Sequence, residues 1–113
     1  MNGREEVVEI LLEWEDVNPD QPDNVGITPL RCAAGNGHGE VVEMLLRRGD
    51  VDPDKPDIYG KTPLLSAAAR GQARVVKILL GRDDVNPNRP DNGGLTPLCW
   101  AALNGCEGVV KYY

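Results

Sequence analysis

The sequence predicts an all-α fold with short finger or hairpin loops, a solenoid of stacked helix-turn-helix repeats, and three observations point there. The first is a period: "DVNPDQPD" at 16–23, "DVDPDKPD" at 50–57 and "DVNPNRPD" at 84–91 each start 34 residues after the last. The second is proline placement, because all nine prolines occupy three positions of that period: Pro29, Pro63 and Pro97; Pro19, Pro53 and Pro87; Pro22, Pro56 and Pro90. The third is that "GITPLRCAAGNGHGEVVEMLL", "GKTPLLSAAARGQARVVKILL" and "GLTPLCWAALNGCEGVVKYY" repeat one pattern from Gly26, Gly60 and Gly94. Self-similarity at a fixed period marks a repeat architecture and changes the meaning of every residue within it.

At the start of the chain, residues 3–13 align with a second helix of the repeat that has no first helix of its own. In each unit Thr followed by Pro starts a helix, since the hydroxyl accepts from an N–H of the first turn and proline at the first helical position gives up no needed donor. A short helix is therefore expected through "PLLSAAAR". Gly71 ends it, as Gly37 and Gly105 do in the other copies, because glycine tolerates the left-handed cap conformation. A second helix over about "ARVVKILLGR" carries Val75, Val76, Ile78, Leu79 and Leu80 on an apolar face wide enough to be covered on more than one side. "DDVNPNRPDNGG" cannot continue it and projects as a turn or finger. Isolated helices shorter than roughly 12–15 residues are marginal in water, so stacking must stabilise these. Ala33 and Ala34, Ala67 and Ala68, and Ala101 and Ala102 are small where adjacent layers must approach.

At 113 residues with 41% hydrophobic content the chain is one folded domain, with units at about 1–25 (partial), 26–59, 60–93 and 94–113 (partial). Eighteen Asp and Glu against twelve Lys and Arg give an acidic balance, which disfavours a nucleic-acid-binding surface. Cys32, Cys99 and Cys106 are an odd number without CxxC spacing and are read as ordinary buried or loop residues of a reducing, intracellular protein, cytoplasmic or nuclear. No stretch resembles a signal peptide or a membrane span, so no membrane contact is expected.

Two chemistries are weighed and set aside. Counting an EF-hand calcium loop from Asp50 places Asp52 and Asp54 correctly, but Lys55 stands where Gly is needed and Lys61 where the bidentate Glu is needed. The carboxylates are read instead as side-chain-to-backbone turn formers. His38, the single histidine, sits at a register position held elsewhere by Arg4, Gln72 and Cys106, and no nucleophile-and-base pair, phosphate loop or metal cluster is present. Neither an enzyme nor a cofactor is expected.

Thr28-Pro29-Leu30 with Ala33-Ala34, Thr62-Pro63-Leu64 with Ala67-Ala68, and Thr96-Pro97-Leu98 with Ala101-Ala102, together with "NGH" at 36–38 and the "DV[ND]" exits, resemble the ankyrin repeat family over nearly the whole chain. The "DVNP..PD" fingers and "PL.WAA" helices look like those of large fungal members. Arg31, Leu65 and Cys99 replace the signature His, so hydrogen bonding near the Thr departs from the family pattern, and the fingers are longer. The resemblance implies protein recognition through a concave and finger face, with a protein partner. The positions it assigns to that face are Asn24, Val25 and Ile27; Ile58, Tyr59 and Lys61; Asn92 and Leu95; and Arg70, Leu103 and Asn104. Ile58, Tyr59 and Arg70 form the most interface-like group, since Tyr and Arg are favoured anchors. The runner-up is a structural role, an assembling or engineered scaffold, or a fragment of a longer array, with no particular partner. Similar repeats can be hydroxylated on the Asn of "DVN", here Asn18 and Asn86, which are read as turn residues.

The ends are unusual. Val7, Val8, Ile10, Leu11 and Leu12 at one, and Val109, Val110, Tyr112 and Tyr113 at the other, are apolar where arrays close with polar caps. Either the chain is a segment of a longer array, or its ends complement each other in a weak head-to-tail self-association.

Overall fold

The structure, a computed structural model, describes residues 3–13 and 17–110. Within them are seven helices: α1 (Gly3–Glu13), α2 (Pro29–Gly35), α3 (Gly39–Leu46), α4 (Pro63–Ala69), α5 (Ala73–Leu80), α6 (Pro97–Leu103) and α7 (Glu107–Val110). First helices α2, α4 and α6 pack side by side in one row, and α1, α3, α5 and α7 form the second row behind them. Helices α2 to α7 touch their pair mates, and every helix touches its neighbours in its row, which is the connectivity of a helical solenoid. The all-α expectation holds among the described residues. Tyr112 and Tyr113, Trp14 to Asp16 and the side chains of Val109 and Val110 lie outside them.

The helix starts arise from the expected chemistry. The hydroxyls of Thr28, Thr62 and Thr96 accept the backbone N–H of Arg31, Leu65 and Cys99, each at 3.2 Å. Gly37, Gly71 and Gly105 end the first helices with φ of +74°, +72° and +66°, the left-handed region. The cap itself falls one residue earlier than expected, so that Arg70 closes α4 rather than extending it. Similarly α5 stops at Leu80, because the N–H of Gly81 turns back onto the carbonyls of Lys77 and Ile78. The second-row helices α3 and α5 start without a side-chain cap. Their entry is a backbone turn, in which the N–H of Gln72 donates to the carbonyl of Ala67 at 2.9 Å.

The core is a thin sheet of apolar side chains between the two rows. Leu30, Ala34, Leu64, Ala67, Ala68 and Ala101 come from the first row, and Val42, Leu45, Val75, Val76 and Leu79 from the second. Val51 and Val85 add the roots of two fingers to it. Fully burying such a Val or Leu contributes about 1.5–3 kcal/mol. No helix among the described residues is long and apolar enough to cross a membrane.

Each finger root is a turn built by its Asx residue. The side-chain oxygens of Asn18, Asp52 and Asn86 accept the backbone N–H two residues on, all at 2.9 Å. Asp20 and Asp54 then tie units together, accepting the N–H of Asp52 at 3.2 Å and of Asn86 at 3.3 Å. Lys55 stands 3.8 Å from Asp20, and Arg89 3.8 Å from Asp54. The carboxylates of "DVDPDKPD" therefore have partners within the stack: Asp50 pairs with Arg48 at 3.2 Å, Asp52 forms its own turn and Asp54 reaches the next unit. Burial, reinforced by the like charges of Asp52 and Asp84, holds the Asp54 carboxyl above the usual carboxylate value despite the Asn86 N–H and Arg89.

Two cysteines depart from expectation. Cys32 and Cys99 are exposed on helices α2 and α6, neither buried nor in loops, while Cys106 is half-buried in the turn before α7. Cys99 occupies the register position of buried Leu65, but it lies on α6, which among the described residues has no further first-row helix beside it.

Candidate functional site

The fingertips are closed by one recurring carboxylate. Asp23, Asp57 and Asp91 stand three residues before the glycine and five before the threonine of their units. Asp57 Oδ1 accepts the N–H of Tyr59 and of Lys61, both at 2.9 Å, and the N–H of Asp57 donates to the carbonyl of Lys61 at 3.0 Å. Asp23 and Asp91 close their loops in the same way onto Val25 and Ile27, and onto Gly93 and Leu95. Gly60 supplies the left-handed residue this turn needs, with φ of +80°.

Adjacent fingertips are joined by backbone. The N–H of Ile58 donates to the carbonyl of Val25 at 3.0 Å, and that of Asn92 to Tyr59 at 2.8 Å. The three tips thus form one continuous ledge beside the first-row helices. A second set of contacts anchors the ledge to those helices. Arg31 of α2 reaches the second oxygen of Asp57 at 3.3 Å, across units, and the Asp57 side chain is only 1% exposed. In the last unit the indole N–H of Trp100 donates to Asp91 Oδ2 at 2.8 Å. Burial pushes the Asp91 carboxyl up, but the donors from Trp100, Leu95 and Gly93 and the charge of Lys61 outweigh it, so the group stays below the usual carboxylate value. The ammonium of Lys61 lies 5.0 Å from the Trp100 ring centre, a cation–π distance.

The eleven positions assigned to the binding face divide by exposure and by what they already bond. Asn24, Ile58 and Tyr59 are exposed on the ledge, and Ile58 and Tyr59 show 56% and 57% of their surface. Val25, Ile27, Lys61 and Leu95 are half-buried at its base. Asn92 is exposed, and its amide already donates to the carbonyl of Ile58 at 2.9 Å. Arg70 and Leu103 are exposed at the ends of α4 and α6. Asn104 is exposed too, with its amide donating to Ala69 of the preceding unit at 2.7 Å. Asn92 and Asn104 thus serve the stack as well as its surface. Of the residues that anchor this region, Trp100 escaped the sequence reading, while Asp57 was read only as a turn former and Arg31 only as a departure from the family signature. The recurring Asp three residues before each Gly-x-Thr was a visible signal for the turn, but nothing local indicated the helical residue that would reach each carboxylate.

A row of helix pairs with fingers joined along one edge defines a repeat solenoid with an extended surface along the stack. The family model described as ankyrin repeats (3 copies) matches the chain over residues 1–57 and 49–112, and the chain belongs to the ankyrin repeat family. Ankyrin repeats are in general non-enzymatic protein–protein interaction modules. No curated protein matches the chain.

Proposed function

We propose that this chain is a protein-binding module that recognises a partner protein through its concave and finger face, without catalysis or cofactor, inside the cell and away from nucleic acid and membrane. The observation that carries the reading is the middle fingertip. Ile58 and Tyr59 are large, apolar and exposed, yet their backbone is held by Asp57, by the adjacent fingers and through Asp57 by Arg31. A side chain offered on a fixed backbone loses little conformational freedom on binding, and aromatic and Arg anchors dominate interface energetics. Arg70, exposed at the end of α4 with its guanidinium near Gly35 of α2, is the third residue of the proposed group.

Affinity capture from cell lysate tests this with the chain and a variant carrying Ile58→Ala, Tyr59→Ala and Arg70→Ala. The expected result is a specific protein retained by the first and lost by the second, with both folded by circular dichroism. Specific capture by neither, or equal capture by both, overturns the assignment of this face.

A further inference from the structure

Arg70 differs from its register equivalents, Asn36 and Asn104, in what its side chain does for the stack. The amide of Asn36 donates to the carbonyl of Cys32 at 2.9 Å, and that of Asn104 to the carbonyl of Ala69, in the preceding unit, at 2.7 Å. The same step back from Arg70 leads to the carbonyl of Gly35, but Nε2 of Gln72 already donates there at 3.1 Å. The task that Asn104 performs has passed to Gln72. Among the described residues the guanidinium of Arg70 therefore has neither an acceptor nor an ion-pair partner.

What lies beside that guanidinium is bare backbone and an unused hydroxyl. A Cβ added at Gly35 of α2 would meet Ser66 Oγ at 3.0 Å, Arg70 Nη1 at 3.6 Å and Arg70 Cζ at 3.8 Å. Hydroxyl and guanidinium thus approach one point over α2, where glycine leaves room for both. Ser66 is only 7% exposed, and its hydroxyl makes no hydrogen bond among the described residues. Buried polar side chains have partners in the large majority of cases, because an unpaired one has given up water for nothing. In the next unit the equivalent residue, Trp100, spends its N–H on Asp91. At Ser66 and Arg70 the acceptor that would serve both donors must come from outside the chain.

We propose that the partner segment carries an Asp or Glu whose carboxylate binds the guanidinium of Arg70 and the hydroxyl of Ser66 beside Gly35. This rests on the reading of the face as a protein-binding surface and assigns it the chemistry of its partner. Two oxygens in a plane match the donor fork of an arginine. A phosphate group fits less well, because phosphate-recognising sites gather several arginines. Here Arg31 is committed to Asp57, and Lys61 lies over Trp100. The net charge of −6 also opposes a dense anion, but tolerates one carboxylate among apolar neighbours.

Selection of a random peptide library displayed on phage tests the proposal, on the full chain and on Arg70→Glu in parallel, with folding checked by circular dichroism. The parent is expected to enrich peptides with Asp or Glu at one fixed place among apolar residues, and Arg70→Glu to enrich Lys or Arg at that place. A synthetic peptide of the enriched sequence is expected to bind the parent about tenfold more tightly than its amide analogue, a difference that shrinks as salt rises. Ser66→Ala, which removes only a hydroxyl, is expected to weaken the acid peptide by about fivefold. Peptides without an acid preference, or with one that Arg70→Glu leaves in place, overturn the carboxylate assignment, provided they still lose binding to the variant carrying Ile58→Ala, Tyr59→Ala and Arg70→Ala; the face then stands. A phosphoserine analogue that binds more tightly than the acid peptide overturns the choice of carboxylate. No enrichment, or peptides that bind that triple variant as well as the parent, overturns both this assignment and the reading of the face.

Discussion

The carboxylate of Asp57 accepts two backbone N–H groups of its own fingertip with one oxygen and faces the guanidinium of Arg31 with the other. Its removal frees all three donors in a site with almost no access to water, and breaking a buried pair from one side is far more costly than the pair is worth as a whole. Asp57→Ala is expected to lower stability by about 3 kcal/mol, measured as the change in urea unfolding free energy. A loss below about 1 kcal/mol would mean that the pair behaves like an exposed surface ion pair. The sequence showed Asp57 as a turn former because its side chain and the backbone it bonds lie within four residues of each other. Arg31 was legible only as a departure from the family signature. Its role depends on how two units sit against each other, which local residue chemistry does not encode.

At the scale of the element, starts and stops of helices were the most readable features, since Thr-Pro and the left-handed glycine act through contacts a few residues apart. Gly71 and Gly49 give a paired test of that logic. Gly71 has φ of +72° and the sulfur of Cys106 would lie 3.4 Å from an added Cβ, whereas Gly49 has no left-handed φ and open space around it. Gly71→Ala is expected to destabilise by about 1–2 kcal/mol, and Gly49→Ala to leave stability unchanged or raise it by about 0.5 kcal/mol, both read from thermal unfolding. Equal effects would refute the cap assignment. Less legible was the exposure of Cys99, because it depends on whether a neighbouring helix covers that face. A residue's place in the period predicts its helix; its burial depends also on its place in the stack.

For the whole molecule, period and proline register made the stack legible, including the lone second helix at residues 3–13. The unpaired guanidinium of Arg70 was not, since it depends on Gln72 reaching the Gly35 carbonyl of the preceding unit, 37 residues away in sequence. Leu64 and Leu98 share one register position, but α6 packs over the first and, among the described residues, no further first-row helix packs over the second, leaving them 0% and 39% exposed. Leu64→Ala is expected to cost about 2–5 kcal/mol, and Leu98→Ala, in dilute solution, under about 1 kcal/mol. Denaturant unfolding of the two variants measures the difference, and comparable losses would show that position along the stack does not set the energetics. The unit-to-unit stitches at Asp20 and Asp54, made to the same backbone position of the next unit, have one more consequence. A segment such as residues 60–93 could be copied in the gene and inserted after itself, and the new junction would again find an Asx side chain, Asn88 in the place of Asp54, facing the same backbone position. Lengthening by whole units therefore reuses the backbone stitch, while side-chain pairs particular to one junction change with the neighbour: where Glu43 meets Arg74 now, Lys77 would meet the copied Arg74.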